Sequence, residues 1–295
     1  MNSLKGRVAV VTGAGRGIGA GIARLFAAEG AAVVVNDLGV ELDGRGGDTS
    51  PANEVVDEII AAGGDAVASG ADITDAAAAE SLIDTAVEMF GGFDIVVNAA
   101  GILRDRMIFN MTEQDWDAVI AVHLRGHFNT IKPAAKYWRA KKNPDGHYRI
   151  INFTSTSGLF GAPGQPNYAA AKMGITGLTY SCANSLGKYG VTANAIAPGA
   201  QTRMTESIPT DKRTVRSTDN DERSPDNIAP IVAYIASESA GWLTGRVIGA
   251  RGYEVLLYSN PEPIRQIVGT ARWDPTELGK YVESSFKPVI QKSAR

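Results

Sequence analysis

Tyr168 and Lys172 stand four residues apart in Tyr168-Ala169-Ala170-Ala171-Lys172, near the head of a helical pattern, so their side chains share one helix face. A phenol of pKa ~10 is a poor base at neutral pH until a neighbouring cation stabilises its phenolate, and an ammonium one turn away supplies that cation. A pair tuned in this way moves a proton on or off an alcohol oxygen. The same spacing also fits a tyrosine packed beside a solvated lysine, and the pair alone does not separate the two.

A second constellation lies near the N-terminus. Thr12-Gly13-Ala14-Gly15-Arg16-Gly17-Ile18-Gly19 follows an apolar β-branched run and opens a helical pattern that carries Ala20, Ile22, Ala23 and Phe26. Glycines let the backbone turn tightly and approach a pyrophosphate, and the amides and dipole of a helix N-terminus favour negative charge. Gly13, Gly17 and Gly19 are the candidates for that role. The second apolar run ends in Asn36-Asp37-Leu38, a carboxylate about 20 residues beyond the last glycine. Asp37 can accept hydrogen bonds from ribose hydroxyls, and its charge repels a 2′-phosphate, which selects NAD over NADP. A turn-forming aspartate before Gly39 is the plainer alternative. Arg16 points the other way, because an arginine in the glycine turn can pair with a 2′-phosphate. Asp37 is given the deciding weight.

These residues need elements to hold them. Seven short runs, at residues 8–11, 32–36, 66–69, 95–98, 149–153, 192–196 and 247–249, read as buried strands. Helical patterns at 19–30, 52–62, 76–90, 112–139 and 168–189 fall between most of them, which predicts one α/β domain over residues 5–252 with parallel strands and right-handed crossovers. Three segments depart from the alternation. Residues 39–50 are rich in Gly and Asp and read as a surface loop. Residues 203–223 are polar and read as a mobile flap, after which Ser224-Pro225 caps a new helix. From residue 253 a C-terminal extension follows, with Trp273, Tyr281, Phe286 and a helix start at Asp274-Pro275, expected to pack on the body or on another subunit.

Composition removes several function classes. The chain has 295 residues, 44% hydrophobic and 21% charged, which suits a folded globular protein and not a disordered one. Its 29 basic and 32 acidic residues are dispersed, so neither nucleic acid nor a membrane surface is an expected partner. A single cysteine, Cys182, excludes an internal disulfide, and three histidines (His123, His127, His147) form no ligand signature, so no metal is expected. No window reaches the ~18 apolar residues of a membrane span and residues 1–11 do not resemble a signal peptide, so the expected location is the cytoplasm.

Six ordered motifs then converge: Thr12-Gly13-xxx-Gly17-x-Gly19, Asp72 after the third run, Asn98-Ala99-Ala100-Gly101 after the fourth, Ser155 thirteen residues before the tyrosine, Tyr168-xxx-Lys172, and Pro198-Gly199 followed by Thr202. On these motifs the sequence resembles the short-chain dehydrogenase/reductase family over nearly all of residues 1–252. The resemblance implies a single Rossmann-type, doubly wound parallel sheet of seven strands with helices on both faces, a nicotinamide cofactor, and hydride transfer at a secondary alcohol or ketone. It implies Tyr168 as general acid/base, Ser155 as the hydrogen-bond partner of the substrate oxygen, and Lys172 as the group that lowers the tyrosine pKa and holds the nicotinamide ribose. Asp72 is placed at the adenine, Asn98 and Gly101 at the ribose, and Thr202 at the carboxamide. Arg16, Ile18, Leu38, Ile73, Ala99, Pro198 and Gly199 complete the implied cofactor set. Two positions depart from the family pattern. Ala99 replaces a usual asparagine, and His123 stands where the family's proton relay has one. A histidine there can relay protons or simply pack, and both readings stay open.

Within the family, residues 35–39 with their Gly-rich insertion, 101–106, 122–126, 164–168 and 203–206 are similar to the dehydrogenase unit of the peroxisomal multifunctional β-oxidation enzymes, also termed 17β-hydroxysteroid dehydrogenase type 4. That group shares the histidine. The implied substrates are (3R)-hydroxyacyl-CoA thioesters and, secondarily, 17β-hydroxysteroids, oxidised with NAD, and the implied assembly is a homodimer or homotetramer through the 112–139 and 168–189 helices. Lys212, Arg213 and Arg216 in the flap either meet CoA phosphates or are solvated. Two rivals remain: an NADPH-dependent 3-oxoacyl reductase, favoured by Arg16, and a non-catalytic dinucleotide-binding protein. The intact set of Ser155, Tyr168 and Lys172 argues against the second.

Overall fold

The computed structural model describes residues 2–199, 222 and 224–293. It contains two compact units, Met1–Tyr258 and Ser259–Arg295. In the first, every run read as a strand is one: β1 Val8–Thr12, β2 Ala32–Asn36, β3 Asp65–Ser69, β4 Ile95–Asn98, β5 Tyr148–Phe153, β6 Val191–Gly199 and β7 Val247–Arg251. They pair in parallel in the order β3-β2-β1-β4-β5-β6-β7. Strand order reverses between β1 and β4, so the connections there leave toward opposite faces and open a crevice at the carboxyl ends of the strands.

The sheet gains one strand over the seven expected. Gly252, with φ of 56°, permits a tight reversal, and β8 (Glu254–Leu257) returns antiparallel along β7. Residues read as the start of the tail therefore belong to the sheet. Their four side chains are all exposed, so no burial pattern betrays the strand in the sequence.

The helices of this unit are α1 (Gly17–Ala28), α2 (Ser50–Ala61), α3 (Ala76–Phe90), α4 (Glu113–Ile120), α5 (Gly126–Lys141), α6 (Thr156–Phe160), α7 (Pro166–Leu186) and α8 (Ala229–Ala236). Successive strand residues point to opposite faces, and both faces are covered, which is why the runs are continuously apolar. Val8, Val10, Val34, Val96 and Ile150 pack with residues of α3, α5 and α7, among them the lone thiol, Cys182. Ala9, Val11, Val33, Val97 and Ile151 pack with α1, α2 and α8. Ser224 caps the turn leading into α8 by accepting from the Asp226 N–H at 3.2 Å.

The pattern at 112–139 is not one helix. Thr112 and Asp115 form a reciprocal capping box at the start of α4, and between α4 and α5 the backbone widens into a π-turn at Ala121–Arg125. Such a turn adds a residue without a polar break, so hydrophobic periodicity does not reveal it. In the second unit α9 (Pro275–Ser293) begins where Asp274-Pro275 points. The Asp274 carboxylate accepts from the N–H groups of Thr276 at 2.9 Å and Glu277 at 3.1 Å.

Candidate active site

Ser155 sits just beyond the end of β5 and caps α6. Pro166 starts α7 two residues before Tyr168. The helix is bolted to the strand end: the Thr154 hydroxyl donates to the Lys172 carbonyl at 2.8 Å, and Lys172 Nζ donates to the Phe153 carbonyl at 2.6 Å. Gly158 allows this approach, since a Cβ there would lie 2.8 Å from that of Lys172. The Lys172 side chain is 4% exposed, and its Nζ lies 5.5 Å from the centre of the Tyr168 ring. The Ser155 hydroxyl faces the Tyr168 phenol closely enough to draw its pKa down. The three residues singled out by spacing thus form one cluster.

Burial dominates the charge state of that cluster. It pushes Tyr168 up to about 12, with the Ser155 hydroxyl pulling the phenol back down and the Asp105 carboxylate adding to the rise. It pushes Lys172 down to about 7. The protein alone therefore favours a neutral phenol beside a lysine that is only about half charged near pH 7, and the phenol needs more positive charge beside it than the lysine supplies.

His123 reaches the same cluster from the π-turn. Its ring is 1% exposed and stands edge-on to Tyr168, with centroids 5.1 Å apart. Nε2 lies 2.8 Å from the Ile102 carbonyl and 3.2 Å from the Ile102 N–H; the shorter contact assigns the proton to Nε2. Burial first, then Lys172, holds the ring well below the ordinary histidine range. One turn on, His127 is pushed down to about 3 by the same two causes. Both imidazoles are neutral at physiological pH.

At the other end the site is made of main chain. Gly13 has φ of 66°, and a Cβ there would lie 2.6 Å from Ala100 Cα; a Cβ on Gly19 would overlap the Gly13 carbonyl. Arg16, at the cap position of α1, offers no capping oxygen, so the first-turn amides remain open to an anion. Asp37 Oδ2 accepts from the Gly15 N–H at 2.9 Å and Oδ1 from the Gly39 N–H at 2.7 Å, joining the glycine turn to the loop that follows β2. Spare lone pairs remain on both oxygens.

A cleft of ≈ 490 Å³ runs along these residues. Gly13, Arg16, Gly17, Ile18, Gly19, Asp37, Leu38, Asp72, Ile73, Ala99 and Gly101 line it, as the cofactor reading requires. Asn98 does not. Its fully buried amide donates to Asn152 Oδ1 at 3.0 Å and accepts from the Thr130 hydroxyl at 2.7 Å, which ties β4 to β5 and α5 from within. Pro198 and Gly199 end β6 outside this cleft, while Thr202 and the flap cations Lys212, Arg213 and Arg216 lie outside the described residues. The loop read from sequence at 39–50 as mere surface ends at 49, just before α2 begins at Ser50, and supplies Val40, Glu41, Leu42 and Gly44 to the wall. Its alternating Val40 and Leu42 were the available sign. Glycine positions that tolerate no Cβ and open first-turn amides fit a dinucleotide.

The family description "short chain dehydrogenase" matches residues 7–213. The chain belongs to the short-chain dehydrogenase family. It is 48% identical to a Mycobacterium tuberculosis protein named hydroxyacyl-CoA dehydrogenase ChsB1 over 293 residues, covering 96% of this chain and 89% of that one. It is 46% identical over 250 residues to the peroxisomal multifunctional enzyme type 2 of Drosophila melanogaster, covering 81% of this chain and 40% of the longer fly protein. A solved short chain dehydrogenase from Mycobacterium avium superposes with a TM-score of 0.84 at 50% identity, covering 96% of this chain and 95% of that one. As a family member the protein is an NAD(P)-dependent oxidoreductase, and its hydroxyacyl-CoA resemblance holds. Among the described residues no helix is long and apolar enough to cross a membrane.

Proposed function

We propose that this chain oxidises the secondary alcohol of (3R)-hydroxyacyl-CoA thioesters with NAD, with 17β-hydroxysteroids as secondary substrates. The observation that carries the reaction class is the cluster of half-buried Ser155 and Tyr168 with buried Lys172 beside a glycine cradle. A bound nicotinamide dinucleotide would supply the hydride acceptor and, when oxidised, a positive charge that favours the phenolate. Tyr168 takes the alcohol proton, Ser155 orients the alcohol oxygen, and Lys172 holds the nicotinamide ribose. His123, its Nε2 engaged by Ile102, steadies the tyrosine ring, and its unpartnered Nδ1 is the nitrogen that would serve a proton relay. Gly13, Gly17 and Gly19 approach the pyrophosphate, and Asp72 and Ile73 border the adenine.

The choice of NAD rests on charge. Asp37 stands at the ribose end of the cleft, and Arg16, the cation that would favour a 2′-phosphate, interacts with Asp48, whose carboxyl is held below its ordinary range first by Ser50 and then by Arg16. The name of the tuberculosis relative supports the acyl-CoA class. A reductive reading keeps Arg16 on its side, and a Synechocystis relative, 38% identical over 259 residues, is named 3-oxoacyl-[acyl-carrier-protein] reductase. Exposed Trp116, Phe128 and Met173 on α4, α5 and α7 support a homodimer or homotetramer through those helices, and a single buried thiol suits the cytoplasm.

The deciding experiment is steady-state NADH formation from a matched panel of (3R)-hydroxyacyl-CoAs and 17β-hydroxysteroids, with NAD and NADP run side by side. Turnover on the CoA esters with NAD is the expected result. Preference for NADPH and 3-oxoacyl substrates would move the assignment to the reductase.

A further inference from the structure

The 39–49 segment is a strap across the nucleotide cleft. It leaves the end of β2 and returns to α2, and its ends are pinched together, with the Asp48 N–H donating to the Leu38 carbonyl at 3.1 Å. Gly39, with φ of 68°, has no room for a Cβ against the Asp48 carbonyl. The far side of the strap is tied to the segment after β4 by two hydrogen bonds. The Leu103 N–H donates to the Leu42 carbonyl at 2.9 Å, and Arg104 Nε donates to the Asp43 carbonyl at 2.9 Å.

The same residue faces the catalytic helix. Asn167, fully buried and immediately before Tyr168, donates through Nδ2 to the Arg104 carbonyl at 3.1 Å and to the Asp115 carbonyl at 3.0 Å. Its Oδ1 accepts the Tyr168 N–H at 2.8 Å. Ile102, two residues before Arg104, is the main-chain partner of His123, whose ring meets Tyr168.

We infer that Arg104 is a positioning residue that couples the nucleotide cleft to the catalytic cluster: its side chain holds the strap over the nucleotide, and its carbonyl steadies Asn167 and, through it, Tyr168. A strap with glycines at 39, 44, 46 and 47 is costly to order, so a charged donor that also lines the cleft is a fitting clasp. Whatever draws the strap down over a bound dinucleotide pulls on residues 102–104, to which the catalytic tyrosine is hung. The inference rests on the nicotinamide-cofactor reading above.

The test compares wild type with Arg104→Ala, Arg104→Lys and Asn167→Asp, using NAD binding by calorimetry, kcat and KM for NAD on the best CoA ester, and thermal melting. Arg104→Ala is expected to raise the Kd and KM for NAD roughly tenfold, the worth of one charge-assisted hydrogen bond. Arg104→Lys, which keeps a donor for Asp43, recovers most of that loss. Asn167→Asp, which loses the Nδ2 donor but keeps the acceptor for Tyr168, is expected to lower kcat roughly tenfold with NAD affinity nearly unchanged. Arg104→Ala with wild-type Kd and KM and only a lower melting temperature would overturn the inference, as would Asn167→Asp with wild-type kcat. Wild type that binds neither NAD nor NADP would bring down the cofactor reading itself, and the inference with it.

Discussion

The nucleotide cleft and the catalytic cluster are built by opposite means. In the nucleotide cleft the contacts come from backbone: glycines brought against Ala100, bare amides at the head of α1, and an aspartate whose oxygens each accept one main-chain N–H. In the catalytic cluster they come from titratable side chains: burial keeps Tyr168, His123 and His127 neutral and brings Lys172 down to about 7. The first kind of site is sensitive above all to added atoms. The second tolerates shape changes better and is governed by proton affinity.

The contrast can be broken most severely at Tyr168. Replacing it by Phe removes the proton acceptor, and turnover should fall by roughly 10²–10⁴-fold while NAD binding by calorimetry stays intact. Retention of most activity would end the assignment. Gly13→Val attacks the nucleotide cleft, where a side chain would collide with Ala100; NAD binding should weaken by roughly a hundredfold or more, with little effect on the pKa values in the catalytic cluster. Asp37→Ala should weaken NAD and relax the rejection of NADP, each by roughly tenfold, because the same carboxylate both faces the ribose and pins Gly15 and Gly39. Unchanged cofactor preference would remove the ribose role.

The smallest effect is on stability against pH. The unfolded chain keeps the Lys172 proton up to about 10.5, whereas the folded protein releases it near 7, so between these values the unfolded state binds more protons and stability rises with pH. The gain from this group is at most about 1.4 kcal/mol per pH unit. Tyr168 opposes it from pH 10 upward, where the unfolded phenol ionises and the folded one does not until about 12. On the acid side, His127 charges near 6.5 when unfolded and near 3 when folded, so stability falls as pH drops through that range. Denaturant melts of wild type and Lys172→Met across pH 7–10 check the first slope, which the variant should flatten.

Much of this was legible in the sequence, for identifiable reasons. Parallel strands buried on both faces are continuous apolar runs, and the glycine turn and Tyr168-xxx-Lys172 carry their geometry in their spacing. Three features were not legible. The π-turn that aims His123 leaves no break in periodicity, and β8 has no buried face to leave a pattern. The strap looked like a loop because its role depends on Arg104, 61 residues beyond its Asp43 partner. Asn167 is a similar case: only the fold shows that the residue before the tyrosine is a sealed hydrogen-bonding hub. Asn98, conversely, sits where the motif implied, but its side chain is spent on Asn152 and Thr130 and not on the cleft.

Cys182 is the chain's one thiol, it sits in the layer formed by α3, α5 and α7, and burial raises its pKa. Native protein should therefore shrug off alkylating reagents and mild oxidants, since little thiolate is present and none of it is at the surface. Its rate of labelling becomes a clock for the opening of that layer, readable by mass without introducing any probe.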